Sequence, residues 1–523
     1  MSRVCYLDQF AFHYFPDMGS LPRPKIQRVA IIGAGPGGVV AAKYLLGENC
    51  FSKIDVYEQR ASFGGVWNYS SDPQPEKLDI PSTNPHQPLE EPTWRSTSTS
   101  SPNGLANSKT ERIPTFITPM YENLESNIPH TIMKHSDAPL ENNALFPSRQ
   151  TILQYLEEYA HDTRHLVHFS TQITSITLTN SKTQPTWLLQ SRSLSTNKIS
   201  HPTTNTTTPY DALILATGHH TTPHLPSIPG LRAWNTANPG TRTHSKHYRR
   251  PRPYRGKKVL VIGNAASGTD IARQIASVCK QPLLLSSRSE NEFAFGDGGG
   301  VEGVGEVGEF LPPEQGKGVR AVRFKDGRVE GGIDAVLFAT GYYYSFPFLE
   351  SLSPPLTRTG ERVEGTFQHI FWRHEATLAF MGLPSKIIPF RTFEGQAAVI
   401  ARVWSGRLDL PSEEGMREWE EAVVREKGAG KRFHVLGFPR DFEYHNKMVQ
   451  WAEGARDMDG GGQGKLPPKW NAKETWTRER FPAIKRAFAE RGEARQGVRT
   501  VEALGFDYEG WIREHGREEK GMV

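Results

Sequence analysis

Two glycine-rich segments hold the residues whose types and spacing are best suited to chemistry. The first reads Gly33-Ala34-Gly35-Pro36-Gly37-Gly38 and the second Gly263-Asn264-Ala265-Ala266-Ser267-Gly268. Each follows a short run of Val, Ile and Leu and opens a stretch with helical spacing. In such a unit the first glycine permits a tight strand-to-helix turn. The next lets backbone approach a pyrophosphate, and the last lets the helix pack on the strand. The phosphates then meet the unpaired N–H groups and the positive dipole end of the helix. An acid is expected where the following strand ends, to bond ribose hydroxyls. Glu58, closing Ile54-Asp55-Val56-Tyr57-Glu58, stands there. One such unit predicts a dinucleotide. Two predict two dinucleotides whose rings exchange electrons.

The units are not equivalent. In the second, Ala265 replaces the middle glycine and narrows the approach to a pyrophosphate, while Ser267 adds a hydroxyl donor. Its next strand leads to Ser286-Ser287-Arg288, with no acid at the ribose position. An arginine there suits a 2′-phosphate and so favours NADPH over NADH; a surface arginine after a strand is the plain alternative. Shortly after Glu58, the stretch Gly64-Gly65-Val66-Trp67 brings the chain close to the first nucleotide with Trp67 beside it, or is simply a packed turn. Two Ala-Thr-Gly segments, Ala216–Gly218 and Ala339–Gly341, each end a buried strand and read as crossings between two nucleotide-binding units.

The elements that must position these residues follow from periodicity. From Arg28 to about Gln59 the order is strand, turn, helix, strand, the opening of a parallel doubly wound sheet. Residues 70–112, rich in Ser, Thr, Pro and Asn, read as a surface excursion. A helix is expected at 149–161, with Ile152, Leu153, Leu156 and Tyr159 on one face and Ser148 as its cap. Strands are expected at 166–178, 186–191, 212–215, 283–288 and 335–339, and loops at 195–209, 296–308 and 458–468. Helices are expected at 397–404, 412–426, 440–455 and 474–490. The fold class is therefore α/β, with two Rossmann-like, doubly wound dinucleotide-binding domains.

Bulk properties narrow the function classes. The chain has 523 residues, enough for two or three domains. Its net charge of +5, from 62 basic and 57 acidic residues, is dispersed along the chain, which argues against nucleic-acid binding. Three well-separated cysteines, Cys5, Cys50 and Cys279, form no metal-binding or dithiol spacing, so no metal is expected and a reducing cytoplasmic compartment fits. No apolar run approaches the ~18–20 residues that cross a bilayer. Residues 1–25 lack the apolar core of a signal peptide and read as a flexible extension. The oligomeric state, including a homo-oligomer, is left open.

Beyond these features the chain resembles the flavin-containing monooxygenase family, fungal-type members in particular. The family's FxGxxxHxxxY fingerprint is similar to Asn238-Pro239-Gly240-Thr241-Arg242-Thr243-His244-Ser245-Lys246-His247-Tyr248, which departs only at Asn238. Further likenesses are the stretch ending at Trp67, Tyr121–Pro129, Phe146–Arg149 with its helix, and Ala339–Tyr342. The resemblance runs from about Arg28 to beyond Tyr508, with 91–112 as an insertion. It implies FAD in the first site and NADPH in the second, with the NADPH domain (221–334) inserted into an FAD domain (26–220 and 335–523, the latter with a helical region). It also implies that reduced flavin takes up O2 as a hydroperoxide, which passes one oxygen atom to the nitrogen or sulfur of a small molecule.

Carried over residue by residue, the resemblance assigns Gly33, Gly35, Pro36, Gly37, Gly38, Glu58, Gly65, Val66 and Trp67 to FAD. Ser126, Asn127 and Ile128 join them, with Asn127 the catalytic asparagine near flavin and nicotinamide. Gly263, Ser267, Gly268, Thr269, Asp270 and Arg288 are assigned to NADPH. His244 and Tyr248 would organise the nicotinamide side rather than act as acid or base. Three alternatives stand beside this reading. A disulfide reductase lacks its cysteine pair in Gly64–Tyr69. A Baeyer–Villiger monooxygenase acting on ketones would end the fingerprint in tryptophan, not Tyr248. A non-catalytic nucleotide-binding protein is kept open by Asn238 and Ala265.

Overall fold

The run Arg28–Ile32 is buried on both faces, with Val29, Ala30 and Ile31 fully enclosed. Such a strand belongs in the centre of a parallel sheet covered by helices on both sides. The computed structural model, which describes residues 26–71, 80–98, 110–140, 143–179, 185–194, 205–288, 299–312, 320–457 and 463–515, places it there. Strand Arg28–Ile32 pairs in parallel with Lys53–Tyr57 on one side and Ala212–Leu215 on the other. Val167–His168 and Leu378–Phe380 extend the sheet in parallel, and the short antiparallel strands Thr366–Phe367 and Phe371–Trp372 complete its seven strands.

A second, five-stranded sheet repeats the plan and is parallel throughout. Its order is Arg242–His244, Ala335–Phe338, Lys258–Ile262, Lys280–Ser286, Val301–Val304. Strand Ala335–Phe338 therefore belongs to the second sheet, so that sheet extends past the expected boundary at residue 334. Each sheet sends its central strand into a helix, Pro36–Glu48 in the first and Ala266–Ala276 in the second. Separate hydrophobic clusters lie beneath them, one around Val29, Ile31 and Val40 and one around Val259, Val261 and Ile271.

Most expected elements are present, and the departures have local causes. Helix Arg149–Tyr159 forms with Ser148 accepting the Thr151 N–H at its N-cap. The expected helix at 397–404 begins earlier, at Pro389, because proline suits the first helical turn. The other C-terminal helices are Glu413–Lys427, Arg440–Glu453 and Ala472–Glu490, followed by the shorter Tyr508–His515. Thr206–Tyr210, expected as loop, is a strand paired antiparallel with Thr186–Ser193, since its threonines are β-branched. The surface excursion at 70–112 includes a hairpin arm, Thr93–Ser98, paired with Thr110–Thr115. Within the glycine-rich stretch expected as loop, Val301–Val304 and the start of Val307–Leu311 are strands. The expected extension 1–25 and parts of the segments at 70–112, 195–209, 296–308 and 458–468 lie outside the described residues. Among the described residues no helix is long and apolar enough to cross a membrane.

The C-terminal part is pinned to the first unit by charge. Glu48, at the end of helix Pro36–Glu48, is fully buried and lies 2.9 Å from Arg407 and 3.8 Å from Arg402. It also accepts the Ser405 hydroxyl at 3.1 Å. Removing one partner of a buried ion pair leaves the remaining charge without compensation, at a cost of about 3–5 kcal/mol. Glu48→Ala is therefore expected to lower stability by about that much in denaturant unfolding. A loss below about 1 kcal/mol, the range of exposed pairs, would contradict this pinning role.

Candidate active site

At the first turn Gly33 has φ +107°, and a Cβ there would lie 2.6 Å from the Ala216 carbonyl oxygen. A Cβ on Gly38 would meet the Gly33 carbonyl oxygen at 1.9 Å, so neither position accepts a side chain. The Gly33 N–H donates to the Tyr57 carbonyl at 2.8 Å, which ties the turn to the neighbouring strand. Helix Pro36–Glu48 starts with Pro36 in its first turn and Gly35 at its N-cap, and no side chain caps it. Its first N–H groups are thus available to a phosphate. Glu58 is buried, accepting the Ala34 N–H at 2.9 Å and the Arg60 N–H at 2.8 Å.

The stretch Gly64–Trp67 lies across this turn. Gly64 donates to the Ala34 carbonyl at 3.3 Å, and a Cβ on Gly65, itself at φ +52°, would meet the Gly35 Cα at 2.8 Å. Gly37 faces Met381 and Phe393 instead. Val66 lies in the short helical turn Gly65–Trp67, and Trp67 packs, with Ile128, against the cluster of Met133, Ile152 and Phe390. The structure thus brings the first turn, the Gly64–Trp67 crossing and the Ser126–Ile128 loop together.

The second turn copies the first in geometry. Gly263 again has φ +107°, and a Cβ there would lie 2.4 Å from the Ala339 carbonyl oxygen. A Cβ on Gly268 would meet the Gly263 carbonyl oxygen at 1.9 Å. Gly263 donates to the Ser286 carbonyl at 2.9 Å, as Gly33 does to Tyr57. Ser287 therefore occupies the place of Glu58, and the second unit has no acid there. Ala265 is the N-cap of helix Ala266–Ala276, again without a side-chain cap, and Ala265 and Ser267 are both exposed. Arg288, at the strand end, is exposed and pairs with Glu306 at 2.8 Å, which Lys325 also contacts at 2.6 Å. Such a surface pair is weak and leaves the guanidinium available to a phosphate.

Beside the second turn lies a cleft lined by Asn127, Ala266, Thr269, Asp270, Arg273 and the helical residues Pro482, Lys485 and Arg486. Asn127 is exposed there, while Ser126 is buried, with its hydroxyl donating to the Ile128 carbonyl at 2.7 Å. Thr269 turns its hydroxyl back to the Asn264 carbonyl at 2.9 Å. The Asp270 carboxylate accepts the Tyr121 hydroxyl and, at 3.0 Å, the Gln274 amide. Burial raises its pKa above the usual carboxylate value. Tyr248 joins the same network, its hydroxyl 3.2 Å from the Gln274 carbonyl oxygen and its ring edge-on to Tyr121 at 5.3 Å. Asp270 thus anchors the second helix to the segment leading to Asn127, a role that its expected place in the NADPH set did not reveal.

Of the remaining fingerprint residues, His244 is fully buried, its Nδ1 accepts the Lys246 N–H at 3.1 Å, and desolvation pushes its pKa down to about 3. It is neutral near pH 7. Tyr342, just after the second Ala-Thr-Gly segment, stands edge-on to His244 and to His220, at 5.2 Å from each. Asn238, the departure from the fingerprint, closes helix Leu231–Ala237 through its amide to the Trp234 carbonyl at 2.9 Å.

Two uncapped helix ends, each on the parallel part of its sheet and above a turn whose first and last glycines admit no side chain, are the plan of a protein with two dinucleotide sites. The sequence profile of the family described as flavin-binding monooxygenase-like matches residues 104–293 and 317–441, and that of an NAD(P)-binding Rossmann-like domain matches 31–97. The chain belongs to the flavin-containing monooxygenase family. Similar proteins include the flavin-containing monooxygenase FMO GS-OX1 of Arabidopsis thaliana, 31% identical over 75% of this chain and 77% of its own length. Another is the flavin-containing monooxygenase ustF2 of Aspergillus flavus, 28% identical over 83% and 94%. Among solved structures, the S-allyl-L-cysteine S-oxygenase from Allium sativum aligns with a TM-score of 0.70 at 25% identity, covering 94% of this chain and 99% of that one. This chain is accordingly an FAD- and NADPH-dependent monooxygenase that uses O2 and a small-molecule substrate.

The Tyr121 hydroxyl, at the start of the Tyr121–Pro129 stretch, is a donor to this site that no motif marks in the sequence. Tyr121→Phe leaves Asp270 short of a partner, which costs about 1–3 kcal/mol. A loss of that size in thermal unfolding is expected, together with weaker NADPH binding by fluorescence titration. Wild-type stability and affinity would contradict the network.

Proposed function

We propose that this enzyme oxygenates a soft sulfur or nitrogen atom of a small molecule, with Asn127 as the catalytic residue between the two cofactors. The cleft that Asn127 shares with Ala266 and Thr269 at the start of the second helix carries this reading. The adjacent Ile128 and Trp67, which lies beside the first turn, pack against one hydrophobic cluster, and this supports it from the other side. The inclusion of sulfur draws on the likeness to the S-allyl-L-cysteine S-oxygenase from Allium sativum.

In this reading Gly33, Gly35, Pro36, Gly37 and Gly38 cradle the FAD diphosphate on uncapped N–H groups, and Glu58 takes the ribose. Gly65, Val66, Trp67 and Ser126–Ile128 flank the flavin. Gly263, Ser267, Gly268 and Thr269 hold the NADPH diphosphate, Asp270 fixes their helix, and Arg288 takes the 2′-phosphate. Bound flavin supplies oxygen activation and bound NADPH supplies the electrons. The chain's own part is to orient both rings, keep water out and present the Asn127 amide as a hydrogen-bond donor to the reacting oxygen. The second sheet and its helices form the NADPH module, inserted into the FAD module. The widely spaced cysteines support a cytoplasmic setting.

The test is a screen of thioethers and amines for stoichiometric NADPH and O2 consumption with a product one oxygen heavier. Asn127→Ala is expected to keep FAD and oxidise NADPH while losing about 100-fold in oxygen transfer, with peroxide released instead. Unchanged oxygenation by that variant would overturn the role of Asn127. Conversion of ketones to esters with thioethers and amines untouched would overturn the substrate class.

A further inference from the structure

The Asn127 loop is gripped by the far end of the chain. Lys485, in the penultimate turn of helix Ala472–Glu490, donates its ammonium to the Ser126 carbonyl at 2.7 Å. That ammonium sits over the Phe146 ring at 4.2 Å and the Phe488 ring at 5.5 Å, so little water competes for the bond. Further along, Gln496 donates to the Glu125 carboxylate at 2.7 Å, and Arg495 reaches it at 3.2 Å. Val498 accepts the Leu145 N–H at 2.8 Å, which completes the attachment.

The held carbonyl is that of the Ser126–Asn127 peptide. A peptide unit is planar and ends at the next Cα, so fixing its oxygen fixes the Asn127 nitrogen and Cα. A charge-assisted bond from an ammonium is among the stronger ways to do this. From the other side, the Ser126 N–H donates to the Pro147 carbonyl at 2.8 Å and the Ile128 N–H to the Ser126 hydroxyl at 3.0 Å. The turn is held on both sides while the Asn127 side chain faces the cleft.

We infer that Lys485 is a positioning residue for oxygen transfer, holding the Ser126–Asn127 peptide so that the Asn127 amide stays aimed at the reacting oxygen. This rests on the proposed role of Asn127. It adds a contribution from the C-terminal helix, for which the sequence offers no motif. The charged groups facing Lys485 are Asp270 and Glu125, which favour its ammonium, and Arg273 and Arg495, which oppose it. Arg486 lines the same cleft, and Tyr121 faces Asp270. Desolvation lowers the Lys485 pKa to about 8, so the grip weakens as pH rises through that value.

The test uses full-length, FAD-loaded enzyme and reads product formed per NADPH consumed, peroxide release, FAD content and unfolding temperature. Lys485→Met is expected to retain FAD and NADPH oxidation while coupling falls about tenfold or more, since small misplacements at a reacting centre are costly. Lys485→Arg is expected to restore most of that coupling. Wild-type coupling should also decline between about pH 7 and 9 as the ammonium is lost, and Lys485→Arg should remove the decline. Wild-type coupling in Lys485→Met, or the same decline in wild type and Lys485→Arg, would overturn the inference. The pH comparison decides it even if Lys485→Met fails to fold. Asn127→Ala, measured alongside, separates the two readings. If it uncouples while Lys485→Met does not, only the positioning role falls; if it stays coupled, the assignment of Asn127 falls.

Discussion

The structure depends on one steric constraint, used twice: a helix pressed so closely onto its strand that only hydrogen fits at the contact. At Gly38 and again at Gly268 an added Cβ would lie 1.9 Å from the carbonyl oxygen of the glycine that begins the turn. The same first glycines, Gly33 and Gly263, face the carbonyls of Ala216 and Ala339 at distances that exclude a side chain. Each glycine turn is thus closed by its own helix on one side and by an Ala-Thr-Gly segment on the other. The helix end left above it has no side-chain cap, and its N–H groups and dipole favour a phosphate.

From that constraint the unequal use of the two units follows. In the first, Gly65 crosses so close to Gly35 that a Cβ on Gly65 would meet the Gly35 Cα at 2.8 Å, and Glu58 is locked against Ala34. The second turn is more open: Ala265 and Ser267 are exposed, and Ser287 stands where the acid would be. A tightly enclosed site suits a cofactor that stays, and a more open one suits a cofactor that comes and goes. Tyr121, Asp270 and Gln274 then tie the open unit to the Asn127 loop, and Lys485 ties the same loop to the C-terminal helix. The loop is therefore the point at which three parts of the chain meet.

Much of this was legible in the sequence because it rests on local backbone chemistry. The Gly33 and Gly263 turns, Glu58, the Ser148 cap and the paired Ala-Thr-Gly strands announce themselves through residue type and spacing. What stayed hidden depends on contacts between distant segments. Lys485 looks like any lysine on an amphipathic helix until that helix is seen against Ser126. Asp270 read as a cofactor contact because nothing in its neighbourhood named Tyr121 as its partner. Thr206–Tyr210 reads as loop from its composition, which its pairing with Thr186–Ser193 outweighs. The strand Ala335–Phe338 was placed in the wrong unit because it is apolar enough for either sheet, and only its pairing with Lys258–Ile262 decides.

The central claim is that the two turns hold two dinucleotides close enough to exchange electrons. Anaerobic titration of the purified FAD-loaded enzyme with NADPH, followed through the flavin absorbance, tests it directly. The account predicts that the flavin bleaches completely at one equivalent of NADPH per flavin. A flavin that stays oxidised under excess NADPH, or a chain that neither retains nor rebinds FAD, would contradict it.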